Sequence, residues 1–115
     1  MSYMLLIAEP VGQRAERSQA EGKLLYERMV EFGAELKERG LLIASESLGT
    51  GGVRIKKRDG QASLTDGPFA EAKEMIGGFY LLDCATKEKA IEIASACPAT
   101  EWCEVEVRKV GPCWE

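Results

Sequence analysis

The sequence predicts an α+β fold: a ferredoxin-like split βαβ with an inserted β-hairpin, pairing as a dimeric α+β barrel. Three observations lead there. Apolar and turn residues space out as strand, long helix, strand, hairpin, strand, helix, strand. Two helices can cover only one face of a sheet. The strands around Met4–Ala8, Leu41–Ala44 and Phe79–Leu82 are apolar on both faces, so the second face needs a cover that one chain does not supply. A second subunit is the simplest source, because open apolar patches beyond a few hundred Å² are rare on monomers.

The first strand is expected over Tyr3–Ala8, where neither face is polar, and Pro10 and Gly12 end it. Ser18 with Glu21 three residues on forms a capping box for a helix reaching about Arg39. Along it Leu25, Met29, Phe32 and Leu36 recur at intervals of four, three and four, which predicts a core stripe, and Gly40 suits the position just past the helix end. Leu41–Ala44 reads as a second strand. A hairpin follows, with arms Val53–Lys57 and Gln61–Asp66 joined through Asp59-Gly60, a pair suited to a tight turn with positive φ. Its first arm sets Val53 and Ile55 with Lys57 against Arg54, Lys56 and Arg58, so it is amphipathic and peripheral.

After Gly77-Gly78 a strand is expected from Phe79 to about Cys84. Thr86 caps a helix over Lys87–Cys97 that buries Ala90, Ile93, Ala94 and Cys97, and Pro98 closes it. The last strand alternates cleanly. Cys103, Val105 and Val107 point one way, and Glu104, Glu106 and Arg108 the other.

One domain spanning residues 1–115 follows from the length, and 45% hydrophobic residues are ordinary for a globular chain. A net charge of -4 without a basic stripe argues against nucleic acid or an anionic membrane surface as the main partner. No apolar run approaches the roughly 20 residues that cross a bilayer. The opening MSYMLLIAEP has neither a basic region before its apolar run nor a small-residue cleavage site after it, so a cytoplasmic address is the expectation.

Cys84, Cys97, Cys103 and Cys113 are unevenly spaced, form no C-x-x-C pair and have no histidine to join them. No metal site is expected, since structural zinc needs paired ligands at short spacing. The first three lie in apolar patterns and read as reduced core thiols; Cys113 is the one expected to react. Without histidine the usual nucleophile triads are excluded. Gly49-Thr50-Gly51-Gly52 lacks a following G-K-[ST] and is not a phosphate loop. No cofactor is expected.

The most specific segment is T-D-G-P-F-A-E-A-K-E, Thr65 to Glu74. Gly67-Pro68 forces a sharp change of direction and Phe69 anchors it. Glu71 and Glu74, three residues apart with Lys73 close by, would share one side if this piece makes a helical turn. Asp66 or Glu71, if enclosed, could have its pKa raised and serve as a general acid or base. Arg54 or Arg108 could hold an anion by a two-pronged contact, and Lys73 could stabilise developing negative charge. Each also has a structural reading, as a turn acceptor, a solvated helical face or a surface ion pair.

The string DGPFAEAKEMIGGFYLLD from Asp66, the V-R-x-x-x-R-D-G of Val53–Gly60, the A-x-x-x-A-x-x-C-P of Ala90–Pro98 and the E-V-R of Glu106–Arg108 resemble the DGPF-type branch of the YCII-related proteins. The resemblance covers almost the whole chain in the same order. It implies a dimeric α+β barrel with a polar pocket, and some relatives are associated with sigma factors of the extracytoplasmic type. Carried across by motif, the catalytic candidates are Asp66, Glu71, Lys73 and Glu74, and the ligand-binding candidates are Arg54, Glu106 and Arg108. The His/Asp pair of more distant YCII-like proteins cannot be transferred to a chain without histidine. Gly52 and Lys109 also depart from the branch pattern, which has threonine and proline there.

Two readings of function stay open. One is a small-molecule binder or cofactor-independent acid-base enzyme, acting as a homodimer on a small anionic or carbonyl-bearing ligand. The other is a non-catalytic regulatory or interaction module with a protein partner.

Overall fold

A computed structural model gives the fold of all residues except Pro68, Ala70 and Glu115. The predicted sharp turn at Gly67-Pro68 therefore lies partly outside the described residues. The elements are β1 (Ser2–Pro10), a 3-10 turn (Gln13–Glu16), α1 (Gln19–Glu38), β2 (Leu42–Ser47), β3 (Val53–Arg58), β4 (Gln61–Asp66), β5 (Glu74–Asp83), α2 (Lys87–Ser95), a second 3-10 turn (Pro98–Glu101) and β6 (Glu104–Lys109).

Helix ends fall where the cap chemistry puts them. The Ser18 hydroxyl accepts from the Glu21 N–H at 3.1 Å, the N-cap bond of the predicted box, and itself donates to the Glu21 carboxylate. At the other end Gly40 has φ 72°, and its N–H and that of Leu41 donate back to Lys37 and Leu36 carbonyls, the paired bonds of a Schellman ending. Thr86 caps α2 by accepting from Lys89 N–H at 3.1 Å. Asp59 and Gly60 both take positive φ, so the β3–β4 turn has the predicted geometry.

Four strands form one antiparallel sheet in the order β2-β5-β1-β6, and β3 pairs only with β4 in a second, two-stranded sheet. The arrangement is α+β. The dimeric α+β barrel is not what the structure shows, because neither sheet is closed. The large sheet ends in β2 and β6, and the hairpin that could have extended it keeps its bonds to itself. Two-faced apolar strands signal that a face is covered; they do not say that the sheet edges meet, and closure is a matter of edge pairing.

The core lies between one sheet face and the helices. Tyr3, Leu5 and Ile7 of β1 and Tyr80 and Leu82 of β5 meet Phe32 and Leu36 of α1 and Ala90, Ile93 and Ala94 of α2. Phe32 meets Tyr80 edge to face at 5.2 Å, and the Tyr80 hydroxyl donates to the Met29 carbonyl at 2.6 Å. Of the predicted α1 stripe, Phe32 and Leu36 are buried while Leu25 and Met29 are only partly covered. The first half of α1 therefore stands off the sheet. All four cysteines are free, with Cys84 and Cys97 buried and Cys113 exposed. Among the described residues no helix is long and apolar enough to cross a membrane, and no cluster of ionisable or thiol side chains could hold a metal ion.

Candidate functional site

Where α1 stands off, a cleft of about 760 Å³ opens between the helix, β2 and the β5 floor. From Gly22 to Lys37 its helical wall is about 22 Å long at the usual rise per residue. Leu25, Met29 and Val30 make the wall apolar, and Gly33 lets Tyr80 approach closely. Polar groups gather at the end formed by β1, the first 3-10 turn and Trp102.

Glu9 is the key residue there. It is 5% exposed, a buried carboxylate at the end of an otherwise apolar strand. Arg14 grips it with two donors: Nε donates to Oε2 at 3.2 Å, and Nη2 pairs with Oε1 while also donating to the Gly77 carbonyl at 3.3 Å. A two-pronged guanidinium contact of this kind fixes orientation as well as charge. The backbone is shaped to receive it. Ile7 faces Gly78 and Ala8 faces Ile76, so Gly77 is the extra residue of a bulge. A Cβ on Gly77 would lie 2.7 Å from Glu9 Cδ and 2.9 Å from Arg14 Nη2; glycine there is what lets the carboxylate rest on the strand. A Cβ on Gly78 would come within 2.9 Å of the Glu46 carbonyl of β2.

Beside this pair, Trp102 is half-buried and carries Arg17 and Arg28 over its ring at 6.0 and 5.6 Å. Arg28 is also paired with Glu101, which raises the Arg28 pKa and lowers that of Glu101 through their hydrogen bond. Arg17 has no such partner among the described residues and lines the cleft. Gln13 ties the turn to Trp102 by donating Nε2–H to its carbonyl at 2.6 Å, and the Gln13 Oε1 is buried with no protein partner. The neighbouring Cys103 thiol is pushed up to about 11, first by burial and then by the Glu9 charge, so it is a packed thiol rather than a nucleophile at neutral pH. The arrangement can bind an anion at Arg17, hold an apolar body along the helical wall, and present the Glu9 carboxylate from below.

The seven residues expected from the sequence lie elsewhere, all at exposed positions. Asp66 ends β4 opposite Val53. Arg54 stacks on Phe69 with its guanidinium carbon 3.8 Å from the ring centroid. Glu71, Lys73 and Glu74 share the approach to β5, where the Lys73 carbonyl accepts from Val11 N–H at 2.9 Å. Glu106 and Arg108 pair at 3.6 Å on β6, opposite Leu6 and Met4. The structure pairs Glu106 with Arg108, while Glu71, Lys73 and Glu74 are only neighbours along the chain, which runs into β5 there rather than through a helical turn; none of the seven lines the cleft.

Glu9, Arg14, Arg17 and Trp102 were missed. Two signals pointed to them: a lone carboxylate closing a six-residue apolar run, and a Gly-Gly pair inside a strand. Gly77-Gly78 read as punctuation before a strand at Phe79, whereas β5 begins at Glu74 and runs through both glycines.

A family model described as a YCII-related domain matches residues 1–113. An uncharacterized protein of Rhizobium meliloti (strain 1021) is 42% identical over 45 residues, 39% of this chain and 36% of that protein. The chain thus matches about a third of that relative's length.

Proposed function

The chain belongs to the YCII-related family, and from that premise we propose that it binds a small anionic or carbonyl-bearing molecule in the cleft between α1 and the sheet. The observation that carries the reading is that one cleft is lined both by Arg17, a cation, and by the buried Glu9 carboxylate that Arg14 orients across Gly77. A carboxylate or enolate oxygen of the ligand is held at Arg17, and the apolar remainder follows Met29 and Leu25. Glu9 is then the group placed to exchange a proton with a bound carbonyl compound without a cofactor.

Within the family we assign the chain to the DGPF-type branch, on its DGPF segment, the R-D-G turn and the E-V-R of β6. The branch motif makes Asp66, Glu71, Lys73 and Glu74, with Arg54, Glu106 and Arg108, a second candidate set. Their exposure in one chain favours the cleft over that set.

Titration with anilinonaphthalene sulfonate, an apolar anion that fluoresces when shielded from water, tests the reading. Arg17→Ala is expected to weaken binding about tenfold, the loss of one charge-assisted contact. Ala34→Trp, which fills the cleft from its helical wall, should abolish it, and Arg54→Ala should leave it unchanged. Equal affinity in wild type, Arg17→Ala and Ala34→Trp would overturn the assignment.

A further inference from the structure

We propose that the ligand of the cleft is a short extended peptide, which adds as a strand to the open edge of β2 and sets its C-terminal carboxylate at Arg17. The proposal rests on the reading of the cleft as an anion site and names the class of the anion.

One wall of the cleft is made of backbone. Leu42 through Leu48 line it without a gap, whereas a strand that shows only one face contributes every second residue. The unbroken run is the mark of an edge. β2 ends the sheet, and among the described residues no backbone bond reaches Leu42–Ser47 from the outer side. Register says which groups are left free. Leu48 N–H donates to the Gly77 carbonyl at 2.9 Å, and Ser47, Glu46, Ser45 and Ala44 follow opposite Gly78, Phe79, Tyr80 and Leu81. Alternate residues bond across an antiparallel pair, so Glu46 and Ala44 turn their N–H and C=O toward β5, and Ser45 and Ser47 turn theirs outward. A peptide strand laid along β2 supplies the missing partners.

The two edges of the sheet are not alike. β6 is charged at four of its six residues, Glu104, Glu106, Arg108 and Lys109, and β2 at one of six, Glu46. Charges on an edge strand deter pairing, so β6 is protected and β2 is open. Apolar side chains flank the open edge. Tyr26 and Val30 of α1 are 55% and 52% exposed, Ile43 and Leu48 on the strand side 53% and 41%, and all four line the cleft. They give seats to the alternate side chains of an added strand. Leu42–Ser47 extends about 20 Å, more than the roughly 13 Å of a tetrapeptide. Charge then sets the direction. β2 reaches the polar end of the cleft at Ser47 and Leu48, against Gly78 and Gly77, where Arg14 also bonds to the Gly77 carbonyl. A carboxylate at that end meets Arg17, and the peptide runs parallel to β2.

Displacement of anilinonaphthalene sulfonate by the tetrapeptide acetyl-Ser-Val-Thr-Val, with a free C-terminal carboxylate, tests this. The free acid should compete, and its C-terminal amide should bind about tenfold more weakly, a difference that Arg17→Ala removes. Methylating one backbone nitrogen of the peptide at a time should weaken binding at least about tenfold at alternate positions and less than about threefold between them, because only every second N–H of an added strand faces β2. Ser47→Pro removes an outward donor of β2 without touching its bonds to β5, and should weaken the peptide about tenfold. If that variant does not fold, the methylated peptides carry the test, since they leave the protein unchanged. A methylation series without alternation would overturn the proposal, because the peptide would then be held by side chains. Failure of the peptide to displace a dye that itself binds through Arg17 would overturn it and leave the cleft an anion site; if neither binds, both readings fall. Self-association that Ser47→Pro abolishes, with no peptide bound, would give the edge to a second copy and overturn the proposal as well.

Discussion

The bulge at Gly77 and the β3–β4 hairpin are both departures from a regular sheet, and they are stabilised in opposite ways. At the bulge a buried carboxylate is satisfied from within the chain by Arg14, and Gly77, without a Cβ, leaves room for both. The hairpin has its turn chemistry and cross-strand pairs but every residue exposed, and Arg54 over Phe69 ties its base to the chain beyond it. Single substitutions should therefore register differently at the two places. Changes near Glu9 should act on the stability of the folded chain, and changes in the hairpin on local opening.

The largest expected effect breaks the comparison at its rigid end. Arg14→Met keeps the length of the side chain and removes its charge, leaving Glu9 buried at 5% exposure without a counter-charge. Removing one partner of such a pair costs about 3 kcal/mol, at the low end of the usual range because Arg14 itself is partly open to solvent. Urea unfolding should show the midpoint falling with little change in slope. Ile55→Glu/Leu64→Glu, at two exposed positions, should shift the midpoint by less than about 0.5 kcal/mol. Similar shifts for the two would mean that the hairpin belongs to the cooperative core.

The same contrast explains what could be read in advance. Caps at Ser18 and Thr86, the Gly40 ending and the Asp59-Gly60 turn are local chemistry written in adjacent residues, and all are found where they were expected. The amphipathic arm was legible for the same reason, because alternation along one strand fixes its faces. Glu9 was not legible, since its partner Arg14 and its seat at Gly77 lie five and sixty-eight residues away and only the β1–β5 register unites them. The DGPF segment attracted the functional reading because it is distinctive in sequence, yet distinctiveness does not specify enclosure. The barrel failed for a related reason: residue patterning reports which faces are apolar, and closure depends on what each edge strand finds.

A smaller effect sharpens the picture of the buried end. Cys103 is held at about 11 against an ordinary value of 9.0 by burial and by the Glu9 charge. The unfolded chain therefore loses this proton first as pH rises. Below pH 9 the group makes no difference between the states; from there to about 11 the folded state is progressively disfavoured, after which the loss levels off. The full linkage is discounted because the thiol is partly open to solvent, which leaves at most about 2 kcal/mol. Comparing wild type with Cys103→Ala in urea across this range should show the alkaline loss in wild type alone. Parallel loss in both would assign it to other groups.

The smallest effect concerns the arm itself. Arg54 lies over the Phe69 ring at 3.8 Å, tying the base of the hairpin to the segment that leads back into β5. An exposed cation–π contact is weak, so Arg54→Ala should leave the global unfolding midpoint unchanged while raising the exchange rates of the β3 and β4 amides about threefold. Lys at the same position should restore part of the protection, because an ammonium still meets the ring face but does not stack on it. If amides of β1 and β5 speed up equally in Arg54→Ala, the hairpin opens only with the whole chain and the two regions are one cooperative unit. If only β3 and β4 respond, the hairpin opens on its own, independently of the core that holds the large sheet.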